Sequence, residues 1–398
     1  MANMEAMDQL RLSRVQNFKN VVTGKGKVDH IPHFGNYWSW KFYDAGYKLS
    51  EALYDYDKTV DTMEQFFKRY PMDIVYETGY RNPVKVFEPL GRYNDYIFDD
   101  KNYSISIHDQ CVIDDEDYDK IIADPKRFLW ETFLPKKYSA FTKDGNSMDF
   151  HAFVGRLMEF GGTQGKITEI MHQYGIADFV DDGDPTGRWG FGYELLFNNM
   201  RGMKKLARDM RRMPDKVLAA CEALNSITLD AQFAAYYQKP AGSNPQTCVD
   251  MNPVMLGHIL LNPKQFEKFY WPYLEKIGKA AEELDKLVFV FAEGSIAPYY
   301  DFFQQLPKDR FVILSELDDV RDVKKNLPNC VACGGPGTNL LYGGTPEENI
   351  EYVAKLIEEV GGDDHRFVFS PSKMISFPND CKRENLAAVC QYLNSIHY

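Results

Sequence analysis

The chain has 398 residues, 44% hydrophobic and 26% charged, with a formal net charge of -12 and a pI near 5.2. Such a composition can bury a large core and excludes wholesale disorder. The acidic field repels phosphate backbones and anionic lipid surfaces, which argues against nucleic acid and membrane partners.

In chain order, the polar, periodic N-terminus MANMEAMDQLRLSRVQNF reads as a helical extension; it lacks the apolar centre of a signal peptide. No run of about 18 apolar residues follows, so a cytoplasmic location is expected. His30 to Tyr37 and Met72 to Glu77 predict two strands, with a helix over Lys58 to Tyr70 between them. Tyr96 to Ile113 alternates apolar and polar residues around turn signals, predicting an inserted β-hairpin. Helices are predicted over Glu116 to Ala123, Tyr193 to Arg212, Asp215 to Tyr237 and Lys264 to Leu284. Strands then recur at Leu287 to Ala292, Arg310 to Ser315, Cys330 to Ala332 and Arg366 to Ser370, each short, apolar and bounded by breakers. Helices over Asp319 to Asn326, Pro346 to Glu359 (after the N-cap Thr345) and about Lys382 to Ser395 alternate with them. Repeated strand-helix units call for a parallel sheet, and right-handed crossovers close readily into a single (β/α)8 TIM barrel, here one α/β domain over residues 1–398.

In a parallel barrel the chemistry gathers where strands end. Four such places follow the C-terminal strands: Glu293 with Gly294 and Ser295, Glu316 with Asp318, Gly334 with Gly335, and Ser370 to Lys373. Glu293 stands out because it closes an apolar run, where a bare charge costs several kcal/mol unless paired, hydrated or protonated. Catalysis and an ion pair with Lys373 are the two readings. Asp318 either serves the mouth or caps the helix after it. Tyr37, Trp38, Trp40 and Tyr76 are either an aromatic wall or core packing. Cys330 and Cys333 form a CxxC, but on a strand they point to opposite faces, which favours buried thiols over a shared metal. The seven cysteines are expected to be free. His33, His108, His151 and His258 could each reach a mouth, but no HxxxH or HExxH spacing occurs and no metal ligand is assigned.

The segments VDHIP (28–32), GYELLFNNMRGMKKLARDMRRMPDKV (192–217), NPKQFEKFYWPYL (262–274), the Glu293 strand, CGGPGTNLLYGGTPEEN (333–349) and FSPSKMI with a later ENL together carry a resemblance over nearly the whole chain. It resembles the uroporphyrinogen decarboxylase-like superfamily, nearest its corrinoid-dependent methyltransferase, O-demethylase-type branch. The resemblance implies a TIM barrel and a corrinoid (cobalamin) carried by a partner protein. Members handling thiols hold zinc on a His-x-Cys at the end of the Glu293 strand and on a Cys after the last strand. Here those positions are Phe291, Glu293 and Lys373, so an intact zinc site is not expected; Cys381 could substitute only after a loop shift. The decarboxylase itself would require an Arg-Gln-Ala-Gly-Arg motif, where this chain has HFGNYWSWKFYDAGYK.

The expected function is therefore transfer of a methyl group from a small methoxylated, including aromatic, or methylamine-type donor to a corrinoid protein. Glu293 would protonate the leaving heteroatom, or Lys373 would stabilise a leaving phenolate; tight pairing of the two would prevent the first role. Tyr37, Trp38, Trp40, Tyr76, Glu316, Asp318, Gly334 and Gly335 would line the substrate site. The alternatives are a uroporphyrinogen decarboxylase-like decarboxylase and a non-catalytic barrel that binds a corrinoid protein or ligand.

Overall fold

A computed structural model describes residues 2–76, 83–91, 96–107, 111–144, 147–187 and 191–398. Its strands are β1 (Phe34–Gly35), β2 (Ile74–Val75), β3 (Tyr96–Asp99), β4 (Ser104–Ile107), β5 (Asp178–Val180), β6 (Thr247–Val249), β7 (Val254–Met255), β8 (Val288–Ala292), β9 (Phe311–Ser315), β10 (Val331–Gly334) and β11 (Phe367–Phe369). β7 to β11 lie side by side in chain order, all parallel. β1 pairs β2 and β5 pairs β6, again parallel. Single parallel bridges join His33 to Phe369, Ile74 to Ala177 and Met251 to Val288. The fold is thus α/β with parallel strands; the predicted hairpin is present as the antiparallel pair β3 and β4.

The four C-terminal strands are buried along their whole length, as unbroken apolar runs require. Successive residues nevertheless sort onto two faces, because side chains alternate along a strand. Phe289, Phe291, Val312, Leu314, Val331, Cys333 and Val368 share an inner cluster with Phe34 and Ile74. Val288, Val290, Ala292, Ile313, Ala332 and Phe367 face outwards, against helix residues such as Leu274, Ile277, Val320, Val353 and Val389. The N-terminal helix Ala2–Thr23 places Val15, Phe18, Val21 and Val22 in the inner cluster, so the extension packs into the core.

Several predicted helices are broken, two of them for a plain local reason. The run over Lys264 to Leu284 divides into Pro263–Phe269 and Trp271–Glu283, because Pro272 has no N–H to continue the ladder and fits only the first turn of a new helix. Asp215 to Tyr237 divides at Thr228, whose hydroxyl bonds back to the Leu224 carbonyl at 3.0 Å. Tyr193 to Arg212 becomes Gly192–Leu195, a π turn over Leu196–Met200 and Met203–Arg212. Thr345 caps Pro346–Leu356 in a reciprocal capping box with Glu348. The first two predicted strands shrink to two residues each: His33 and Tyr37 make only isolated bridges, and Glu77 lies outside the described residues. The sequence pattern missed the 27-residue helix Ser147–Gln173, in which Gly155, Gly161, Gly162 and Gly165 dilute the apolar periodicity.

All seven cysteines are free thiols; Cys330 lies in the outer cluster and Cys333 in the inner one, the opposite-face placement that excludes a shared metal. Among the described residues no helix is long and apolar enough to cross a membrane.

Candidate active site at the C-terminal edge of the sheet

Strand register brings the two predicted glutamates together. Phe291 pairs with Leu314 and Ala292 with Ser315, so Glu293 and Glu316 follow as neighbours one strand spacing apart, about 4.8 Å between backbones. Both stand two residues beyond an inner-face residue and so project from the inner face. The ladder carries on past the strands: Glu316 N–H donates to Ala292 O at 3.1 Å and Glu293 N–H to Met255 O at 2.9 Å. Glu316 accepts the Met374 N–H at 3.0 Å, and Met374 is buried in the inner cluster, so the segment after β11 folds back over this edge.

Behind Glu293 lies a carboxylate that the sequence pattern missed. Glu194, 3% exposed, accepts the Leu256 and Gly257 N–H groups at 2.9 Å each, the Asn198 side-chain amide at 2.9 Å and the Tyr270 hydroxyl. Burial pushes its pKa up to about 7, against the pull of these hydrogen bonds, and the charge on Glu293 adds to the rise. Two interacting carboxyl groups, one poised near neutrality, can hold and deliver a single proton. The available signal was a lone Glu inside the apolar run GYELLF, which pattern reading assigned to an ordinary helix.

Asp318 organises the loops. It is the acceptor for Ser295 Oγ at 2.5 Å and Ile296 N–H at 2.7 Å, and Ser315 Oγ lies 2.6 Å away. The cap of the following helix is Asp319 instead. Gly294 has φ 133°, and a Cβ there would sit 2.6 Å from Ile259 and 3.5 Å from the buried His258 ring. At Gly335 a Cβ would meet the Ser370 carbonyl at 2.3 Å, so only glycine lets these neighbouring segments touch. Glu316, Asp318, Gly334, Gly335 and Ser372 line one cleft of about 260 Å³.

Other expectations need correction. Lys373 pairs with Asp380 at 3.1 Å, against the reading in which it forms an ion pair with Glu293. Asp380 also accepts the Ser376 and Phe377 N–H groups, making it the nearer and better-held anion. Tyr37 and Trp40 are core residues in a cluster with Phe66 and Tyr70, with the Trp40 indole donating to Cys381 O at 3.1 Å. Only Trp38 and Tyr76 border the inner cluster; the Tyr76 ring lies 5.3 Å from Phe291 and 5.5 Å from Phe34 and Phe179. His151 is exposed on its helix, and His108 lies outside the described residues. His33 and His258 are buried, which pulls each down to about 4 and leaves both neutral near pH 7. Among the described residues the fully buried Asn36, two residues beyond Phe34, has both amide atoms unpartnered.

Zinc does not fit this edge at the positions implied by the resemblance. Phe291 packs in the inner cluster, Lys373 is held by Asp380, and the Cys381 thiol is buried in the Trp40 cluster. Of the set only Glu293 offers a ligand atom suited to the ion.

These features define an α/β protein whose polar residues collect at the C-terminal ends of parallel strands. Residues 195–396, a little over half of the chain, match the family described as uroporphyrinogen decarboxylase (URO-D), and the chain belongs to that family. Among solved structures it is similar to a methyltransferase from Methanosarcina mazei, with TM-score 0.57 and 13% identity over 96% of this chain and 98% of that one. At that identity the likeness speaks for the fold alone. No curated protein matches the chain significantly.

Proposed function

We propose that the chain is a methyltransferase of the URO-D family that takes a methyl group from a small methoxylated or methylamine-type donor and passes it to a corrinoid protein. The observation that carries this is the buried Glu194, pushed up to about 7 and held by the Leu256 and Gly257 N–H groups, directly after Met255, whose carbonyl accepts the Glu293 N–H at the C-terminal edge. The donor's methyl–heteroatom bond breaks with its electron pair left on the heteroatom, and the proton that neutralises it is held by Glu194 and passed on through Glu293. A corrinoid carried by a partner protein would supply the nucleophile that takes the methyl group. Lys373, tied to Asp380 and 33% exposed, is a weaker candidate for steadying a leaving phenolate than it was from sequence. Trp38 and Tyr76 would form the apolar side of the donor site, and Glu316, held by Met374 N–H, its rim.

This reading places the donor site in a closed (β/α)8 barrel formed by one domain. Three of the isolated bridges among the described residues, which carry the pairing from β11 to β1, from β2 to β5 and from the β6 segment to β8, support that closure. The aromatic and acidic inner face argues against a substrate bearing many carboxylates. The test is methyl transfer to reduced cobalamin, screened over methoxyaromatics and methylamines, alongside decarboxylation of uroporphyrinogen. Turnover of any methyl donor supports the proposal. Decarboxylation alone, or no reaction while a corrinoid protein still binds, would sink it.

A further inference from the structure

The segment VDHIP has no part in the site described above, yet it forms a second polar centre at the other end of the strands. His30 precedes β1 and Asp73 precedes β2, so both stand at the N-terminal edge. The chain terminus arrives at the same place: Tyr398 N–H donates to Asp29 O at 2.7 Å. His30 Nδ1 lies 3.2 Å from Asp29 Oδ2, and His397 Nδ1 lies 3.1 Å from the same oxygen. The two imidazole rings are 5.6 Å apart and steeply inclined, at 69°. On its far side His30 Nε2 meets Asp73 Oδ2 at 3.1 Å, and Asp73 Oδ1 holds Arg14 at 2.8 Å.

The proton inventory of His30 decides what this arrangement suits. Protonated at both nitrogens, His30 donates to Asp73 and Asp29 together; once Nδ1 gives up its proton, its lone pair faces a carboxylate oxygen, which repels unless a cation stands between them. His397 Nδ1 faces that oxygen as well. A tetrahedral zinc with bonds of about 2.0–2.2 Å spaces its ligand atoms about 3.4 Å apart, close to both separations here. Two imidazoles and one carboxylate with an open fourth position suit a borderline divalent ion, and a carboxylate behind a ligating imidazole is the usual orienting partner.

We propose that Asp29, His30 and His397 bind a zinc-type divalent ion, with Asp73 orienting His30, and that the ion ties the chain terminus to the segment before β1. Binding replaces the Nδ1 proton of His30, so ion uptake releases a proton and tightens as pH rises. Asp29 and His397 are more than half exposed, which gives solvent and ion direct access.

The experiment is calorimetric titration of the untagged 398-residue chain with zinc chloride at about pH 6 and about pH 7.5, with melting curves on the same samples. Expected are one saturable ion per chain, tighter binding at the higher pH and a raised melting temperature. His397→Ala, at an exposed side chain, should keep its circular dichroism spectrum and bind zinc at least about tenfold more weakly, with Asp29→Asn behaving alike. Absence of saturable binding to the unmodified chain would overturn the proposal. So would undiminished binding by His397→Ala, which would place the ion elsewhere, the glutamates of the opposite edge included.

Discussion

Asp73 at the N-terminal edge and Glu194 at the C-terminal edge are both buried carboxyl groups, yet they behave in opposite ways. Burial raises the pKa of each, but at Asp73 the cations His30 and Arg14 outweigh it and hold the group well below the usual carboxylate range. The hydrogen-bond partners of Glu194 are peptide N–H groups, an amide and a hydroxyl, with Glu293 as a neighbouring anion, and it rises to about 7. A charge met by cations is a device for stability. One left to neutral donors beside another carboxylate is held at a cost, and that is the arrangement the proposed proton relay uses.

The contrast can be broken most sharply at Asp73. Asp73→Ala strands Arg14 and His30 and should cost about 3–5 kcal/mol, read as a lowered midpoint in urea unfolding. A loss below about 1 kcal/mol would mean that solvent already screens the group. Glu194 should reveal itself through pH. Its folded pKa of about 7 exceeds the ordinary 4.5, so the folded chain keeps a proton that the unfolded chain has lost. That contribution is fully present below about 4.5 and disappears as pH rises through about 7, on the order of 3 kcal/mol in all. Glu194→Gln should therefore flatten the fall in melting temperature between about pH 5 and pH 8. An unchanged slope would show that Glu194 stays ionised throughout.

Glu293→Gln keeps size and hydrogen bonding but loses the proton, so methyl transfer should fall about a hundredfold or more while stability changes little. Equal losses of turnover and stability would make Glu293 a structural group. The smallest effect belongs to Trp38→Ala, which should raise KM several-fold and lower stability by about 1 kcal/mol, the scale of one aromatic contact at a half-buried position. If KM stays fixed while the protein melts early, Trp38 belongs with Trp40 in the core.

Legibility in the sequence followed the range of the interactions. Glu293 and Glu316 were readable because each closes an apolar run, and alternation along a strand fixes the face of the residue two positions on. Pro272 and Thr228 were equally local, and a stricter reading would have broken both helices there. The aromatic positions were not readable. Tyr37, Trp38 and Trp40 sit within four residues of one another, yet the chain turns into a short helix at Trp40 and sends two of the three into the Phe66 cluster.

The sequence by itself determined the alternation of strands and helices, the apolar layer at the end of each C-terminal strand and the carboxylates placed above it, since all rest on periodicity among near neighbours. Only the tertiary structure decided which charges meet. Glu194 comes up behind Glu293, Lys373 turns to Asp380 instead, and His397 reaches Asp29 across 368 residues. Those pairings depend on how strands register and where the ends of the chain return, and short-range pattern carries no record of either.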